Sequence, residues 1–343
     1  MSSVPLDYTS LRPPRRPWWL PSRQQVPVLT TAVIFVLLYL LLGWKFHAFF
    51  SADVGISLLR DNSAFLGVTA VGMTFVILSG GIDLSVGAMI GCTSIAMAAM
   101  IGRGHLHPAA AMAVVLAGGV LLGTFMGCLI HFFQLPPFLV TLGGLFFLRG
   151  LALWISVESM SIAHPWYDWL SSAALPLPWG LSLPLSAAIF LVVLVVASFA
   201  SLWTPFGRNV YAIGGSESSA VLMGLPVGRS KVLIYAVSGF CSALAGIVYT
   251  ISLSSGDATA GTGLELDAIA AVVVGGTLLT GGVGYVAGTL LGVLIFGMIQ
   301  LAIIFKGDLN SAWTRIAVGA LLLAFILLQK LLEFGRGGAG EDS

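Results

Sequence analysis

Charge is what this sequence has least of: 15 Lys and Arg and 14 Asp and Glu in 343 residues, 8% charged, against about 25% in an ordinary soluble domain. With 58% hydrophobic residues, that scarcity excludes a water-soluble fold. A net charge of +1 leaves no cationic surface for a phosphate backbone, so nucleic acid is excluded as a partner. Cysteine is also scarce. Cys92, Cys128 and Cys241 lie in apolar stretches without CxxC spacing, so neither a disulfide framework nor a zinc site is indicated. Only four lysines occur, Lys45, Lys231, Lys306 and Lys330, and none follows a glycine; the GxxxxGKS/T phosphate loop is therefore missing. HExxH and GxSxG are missing as well. No enzyme and no cofactor is expected, and ionisable residues inside the apolar runs are too few for an ordinary ion-coupled carrier.

What is present is a series of apolar blocks long enough to cross a hydrocarbon core of about 30 Å at 1.5 Å per residue. The expected fold class is an all-α polytopic membrane protein with ten spans, near 27–44, 63–79, 84–101, 108–132, 138–155, 184–203, 231–252, 266–280, 284–305 and 312–332. Residues 1–26, rich in Pro and Arg, read as a cytoplasmic tail, 27–333 as the membrane domain and 334–343 as a second cytoplasmic tail. With the N-terminus inside, the interior segments hold Arg12, Arg15, Arg16, Arg23, Arg208, Arg229, Lys231, Lys330 and Arg336. The exterior ones hold Lys45, Arg60, Arg103, Lys306 and Arg315. The positive-inside rule then puts both termini in the cytoplasm.

Shifting the chain by 201 residues lays AVGMTFVILSGGIDLSVGAMIG (70–91) on AVVVGGTLLTGGVGYVAGTLLG (271–292), with Ala70, Val71, Leu78, Gly80, Gly81, Gly87 and Gly91 matched identically. Each copy reads as a helix, a Gly-Gly break and a second helix with small residues four apart, the spacing that lets helix backbones approach closely in lipid. Gly-interrupted segments at corresponding positions of two halves point to a transport site. Ten spans make the copies parallel; one re-entrant segment would make them inverted.

Within the first break, Gly80 and Gly81 can end a helix in left-handed geometry, and Asp83 can cap the next one. A carboxylate at membrane depth is also a functional candidate. Arg149 is expected to snorkel outward to the headgroups from the fifth span. The exterior segment 156–183, with Glu158, His164, Trp166 and Asp168, reads either as an aromatic belt or as a lid. Residues 253–269, with Asp257, Glu265 and Asp267, could receive a soluble partner or start a re-entrant hairpin. In the interior loop 204–230, Ser216 is a good N-cap and Gly224-Leu225-Pro226 a stop. They frame a two-turn helix with apolar Val221, Leu222 and Met223, too short to stand alone. It either packs on the bundle or inserts into a groove of a cytoplasmic motor protein.

The stretches VGMTFVILSGGIDLSVGAMIG, PPFLVTLGGLFFLRG, FGRNVYAIGGSESSAVLMG and VVVGGTLLTGGVGYVAGTLLGV together resemble the permease subunits of bacterial sugar-importing ABC transporters of the ribose, xylose and galactofuranose type, most closely the galactofuranose permeases. The resemblance covers nearly the whole chain between its tails. It implies a type II ABC importer-like inner-membrane subunit that works with a second permease subunit, cytoplasmic ATP-binding subunits and a periplasmic sugar-binding protein. It also implies that Gly214, Gly215, Ser216, Glu217, Ala220, Met223 and Gly224 couple to the ATPase. The path candidates are then Thr74, Ser79, Asp83, Ser85, Arg149, Thr277 and Thr280, and the periplasmic partner or lid candidates are Glu158, His164, Trp166, Asp257 and Glu265. A secondary active carrier for a small neutral solute is the alternative.

Overall fold

The computed structural model describes residues 26–60, 62–306, 313, 315–325 and 327. Apart from Val26 the expected tails, 1–26 and 334–343, lie outside these residues, as does part of the tenth expected span. Six helices are long and apolar enough to cross a membrane: α1 (Val26–Lys45), α5 (Pro108–Phe132), α6 (Pro137–Ile155), α8 (Leu185–Trp203), α11 (Val227–Leu253) and α13 (Val286–Lys306). Three shorter apolar helices join them: α3 (Asn62–Leu78), α4 (Val86–Gly102) and α14 (Arg315–Phe325). Short α2 (Ala52–Ser57) and α7 (Pro165–Ser172) lie between spans, as does the pair α9 (Pro205–Gly215) and α10 (Glu217–Leu222).

The expected eighth span, 266–280, is corrected. The helix there, α12, is Leu264–Val274, about 16 Å long at 1.5 Å per residue, or half the apolar thickness. Gly275, Gly276, Gly281, Gly282 and Gly284 break the rest into turns, and Gly276, Gly281, Gly282 and Gly284 sit at positive φ. The remaining depth is covered by irregular chain on the N-terminal side, residues 255–263, which runs along α4. Its N-terminal end, Ser255–Gly256 (β4), pairs antiparallel with Met160–Ser161 (β1), and further along Gly261 meets the Gly87 backbone. Irregular backbone survives at such depth only where protein covers it. A second ribbon, Ala174–Pro176 (β2) with Ser182–Pro184 (β3), sits at the same end.

Helix α11 is the central post. It packs antiparallel on α5 where Gly119, Gly123 and Gly127 meet Gly239, Tyr235 and Val232. It also separates α3 from α4, with Gly72 against Ser238 and Cys241 and Gly246 against Thr93. In lipid such contacts rest on close packing of small residues rather than on expulsion of water.

The two copies of the repeat are parallel. Gly288 and Gly292 of α13 lie against Gly275 and Ala271, so α12 and α13 are antiparallel. Gly297 lies against Ser63 and Thr289 against Thr74, so α3 and α13 are antiparallel too, and α3 runs with α12. Both breaks face the end that carries α9 and α10. The matched glycines serve one purpose in both copies: Gly87 and Gly91 admit the backbone of Gly261, Ala258 and Ala260, while Gly288 and Gly292 admit that of Gly275 and Ala271. Any side chain there would strike a carbonyl.

Candidate functional site

Helix α3 ends where its carbonyls turn inward: the N–H groups of Gly80 and Gly81 donate to Ile77 and Val76 at 2.9 Å, and Gly80 takes φ +81°. Its repeat counterpart Gly281 takes φ +83°. Left-handed backbone at both positions is why the matched residue is glycine. Ser79 hydrogen-bonds the Val76 carbonyl at 2.8 Å. Beyond the turn the chain climbs back, extended, and Asp83 is 1% exposed.

Asp83 does not cap α4, as the sequence had suggested. Ser85 holds that position, in helical backbone geometry and without a side-chain cap. Asp83 instead closes an Asx turn, its Oδ1 accepting the Ser85 N–H (2.9 Å) and hydroxyl (2.6 Å), and its Oδ2 accepts the Ser238 hydroxyl of α11 at 2.7 Å. Among the described residues it has no ion-pair partner. The Tyr235 hydroxyl lies over Gly81 without a hydrogen-bond partner among the described residues. Ser238 and Tyr235 were not legible in advance, because they sit in an unbroken apolar run, YAVSGF, that carries no spacing signal.

Two threonines from opposite halves meet: Thr74 and Thr289 share a hydrogen bond of 2.7 Å, both fully buried. Thr277, fully buried in the second break, keeps a hydroxyl with no partner among the described residues beside Gly284, whose carbonyl accepts from Tyr211 at 2.9 Å. Thr280 lies exposed beside Gly80. The path candidates thus split. Thr74, Asp83 and Ser85 are packed into the core, Thr277 lines the second break, and Ser79 and Thr280 stand at the α9–α10 end.

Arg149 does not snorkel. Its Nη1 donates to the carbonyls of Ala258 (2.5 Å) and Ala260 (3.0 Å), which irregular chain leaves without a ladder partner and which the two N–H groups of that one nitrogen serve. Glu265, in the first turn of α12, holds one Oε buried against Gly87 without a hydrogen-bond partner among the described residues, and its charge and that of Asp257 act on Arg149. Asp257 itself accepts from the Thr259 N–H and hydroxyl at 2.7 and 2.8 Å. At the end opposite α9 and α10, His164 caps α7 by accepting the Trp166 N–H at 3.2 Å, and the Trp166 ring lies 5.5 Å from His107. Glu158 is exposed in the adjoining loop, which the β1–β4 pair ties to the Asp257 segment. Tyr167 is buried there and donates to Thr250 at 2.5 Å; burial pushes its phenol up to about 12.

At the other end Gly214 of α9 sits on the Leu78 carbonyl and the Gly282 amide, with no room for a Cβ, while Gly215 is open. Ser216 caps α10, accepting the Ser219 N–H at 3.3 Å. Glu217 pairs with Lys231 at 2.6 Å. Ala220 is the buried residue of α10, and Gly224 ends the turn at φ +74°. Val221, Leu222 and Met223 are 58, 88 and 66% exposed. They do not pack on the bundle.

Residues 59–326 match the family described as the branched-chain amino acid transport system, permease component. The chain is 50% identical over 308 residues to the inner membrane ABC transporter permease protein YjfF of Escherichia coli, covering 90% of this chain and 93% of that protein. It is 40% identical over 285 residues to the ribose import permease protein RbsC of Haemophilus influenzae, covering 83% and 87%. With the fructose import permease protein FruG of Bifidobacterium longum it shares 38% identity over 314 residues, 90% and 92% of the two chains. A bundle of discontinuous helices, a doubled glycine break and an exposed two-turn foot thus belong to a chain matched over up to 90% of its length by membrane permeases, and this protein is a member of the branched-chain amino acid transport system permease-component family.

Proposed function

We propose that this protein is the inner-membrane permease subunit of an ATP-driven sugar importer, forming the path for a neutral monosaccharide, with galactofuranose favoured, and drawing its energy from a separate ATP-binding subunit. The observation that carries the reading is α10. Three consecutive large apolar side chains stand free at the tip of a capped two-turn helix, and the rear of that foot, Gly214, rests on both breaks of the repeat. Force applied to the foot reaches the two discontinuous segments directly. Names of relatives that import ribose and fructose support the sugar class.

In this reading both termini are cytoplasmic, α9 and α10 face the ATPase within the interior loop 204–230, and the 156–183 and 254–257 segments face a periplasmic sugar-binding protein. A second permease subunit completes the path. Movement of α9–α10 shifts the breaks at 79–85 and 275–285, and the polar groups around them, Ser79, Thr277 and Thr280, give a passing sugar weak, multiple contacts. Selection resides in the binding protein, and this chain performs no hydrolysis itself.

The test is reconstitution. Liposomes holding the complete assembly should accumulate labelled galactofuranose only with ATP inside and the binding protein outside. Uptake by this chain alone, driven by a proton or sodium gradient, would establish a secondary carrier instead.

A further inference from the structure

A groove of about 700 Å³ opens between the last turn of α5 and the first turns of α11, at the end that carries α9 and α10. Its walls are Cys128, Phe132, Val232 and Leu233, and its mouth carries His131 and Arg229. The volume falls within the range of small-molecule sites, about 300–1,000 Å³. Behind it the helices close on each other where Gly127 meets Val232 and Gly123 meets Tyr235, so the space is a wedge that opens at the helix ends. The His131 ring rests on Gly228, where a Cβ would displace it.

The polarity of the wedge runs along the bundle axis. Its deep part is apolar, and Phe132 (71% exposed) and Leu233 (52% exposed) look outward from the rim. Arg229 is exposed and has no carboxylate partner among the described residues, since the nearby Lys231 has taken Glu217. A cation at the level of the helix ends above an outward-facing apolar cleft matches a molecule with an anionic head and a hydrocarbon tail. Basic pockets between membrane helices on the cytoplasmic side bind acidic headgroups for this reason. The other groove of this surface, about 490 Å³ between α5 and α6, is walled by apolar side chains alone, among them Phe125, Met126, Leu139 and Phe147; it offers an acyl chain a place but a headgroup no contact.

The geometry points to a binding site for an anionic phospholipid, its phosphate on Arg229 and His131 and one acyl chain between Phe132 and Leu233. Arg229 and Lys231 lie five and seven residues beyond Gly224, in the first turns of α11 just after α10, so an occupied wedge braces the foot proposed above.

The full-length purified chain, stripped of lipid in mild detergent, is titrated with phosphatidylglycerol or with phosphatidylcholine of identical acyl chains and read by native mass spectrometry. Wild type should take up the anionic lipid at a concentration at least about fivefold lower than the neutral one, the ratio about 1 kcal/mol per basic residue provides. Arg229→Gln should abolish the preference, and Arg229→Lys and Arg208→Gln should retain it. Leu233→Trp should lower anionic-lipid binding while leaving the charges in place, and it decides the matter should Arg229→Gln fail to fold. Equal uptake of the two lipids, an unchanged preference in Arg229→Gln, or displacement of the lipid by inorganic phosphate would overturn the site. So would a cross-link in intact membranes from Leu233→Cys to a second protein chain. None of these outcomes bears on sugar uptake, so the proposed function stands or falls separately.

Discussion

The amide of Gly282 donates to the carbonyl of Leu78 at 2.8 Å, so the break of one repeat copy is hydrogen-bonded to the last turn of the helix that precedes the other. These two residues are 204 positions apart, and Gly214 covers the bond from the α9–α10 side. The two halves and the foot therefore meet at one point of backbone-to-backbone contact. Most of the expected behaviour follows from it.

Gly214→Ala should damage this junction. Its Cβ would strike the Leu78 carbonyl oxygen and approach the Gly282 amide at 2.5 Å, and backbone cannot yield as a side-chain tip can. Overpacking of this kind costs about 1–3 kcal/mol. The thermal transition of the solubilised chain should fall and ATP-driven uptake should be lost, whereas Gly215→Ala, with open space around it, should change neither.

Replacement of Leu222 and Met223 by Ser should have the reverse pattern. These side chains are 88 and 66% exposed, so stability should hold to within about 0.5 kcal/mol. Uptake in the assembled transporter should fall while ATP hydrolysis persists. Normal coupled uptake in this variant would remove α10 from the coupling role.

Asp83 accepts three hydrogen bonds and has no counter-ion among the described residues. Asp83→Asn keeps a carbonyl oxygen for the Ser85 turn, and its amide can donate to the Ser238 hydroxyl, so uptake should survive. Asp83→Leu leaves three buried donors unpaired at about 1–3 kcal/mol each, and the protein should fail to accumulate in the membrane. Equal loss in both variants, at normal membrane abundance, would show that the negative charge itself is required.

Arg149→Ala should release the 255–263 segment from α6, because the carbonyls of Ala258 and Ala260 lose their donor. Hydrogen bonds to a charged donor are worth about 1.5–3 kcal/mol. A Cys at Thr259 should then react several-fold faster with a membrane-impermeant thiol reagent than it does beside the native arginine. Arg149→Lys should restore part of the protection.

Tyr167→Phe should cost about 1 kcal/mol through the lost bond to Thr250, and it should alter the alkaline limb of stability. The fold holds the neutral phenol, whose ionisation is raised from 10.0 to about 12 by burial. Its contribution is complete below pH 10 and is lost as pH rises toward 12. Unfolding temperatures measured between pH 9 and 12 should drop less steeply in the Phe variant.

Much of this was open to reading in the amino-acid order alone. The membrane class, the helices that fill eight of the ten expected span ranges to within four residues, the two-turn helix after Ser216 and the doubled glycine break all depend on local rules. Apolar run length is set by bilayer thickness, and a cap or a left-handed glycine acts within a turn or two. The 201-residue shift also exposed Gly87, Gly91, Gly288 and Gly292, though not what they admit. Tertiary structure alone decided the partners. Asp83 turned to Ser85 and Ser238 and not to the free N–H groups of the first turn of α4, and Arg149 turned inward because the irregular stretch 255–263 placed the carbonyls of Ala258 and Ala260 within its hydrogen-bond reach. The eighth span stops at Val274, covering about half the apolar thickness, because five glycines in eleven residues, 275–285, cannot hold a helix against packed neighbours. An apolar period fixes which elements form and how deep they sit; which polar group answers which is a matter of three-dimensional proximity, and in a medium without water every such group takes the nearest partner the fold brings to it.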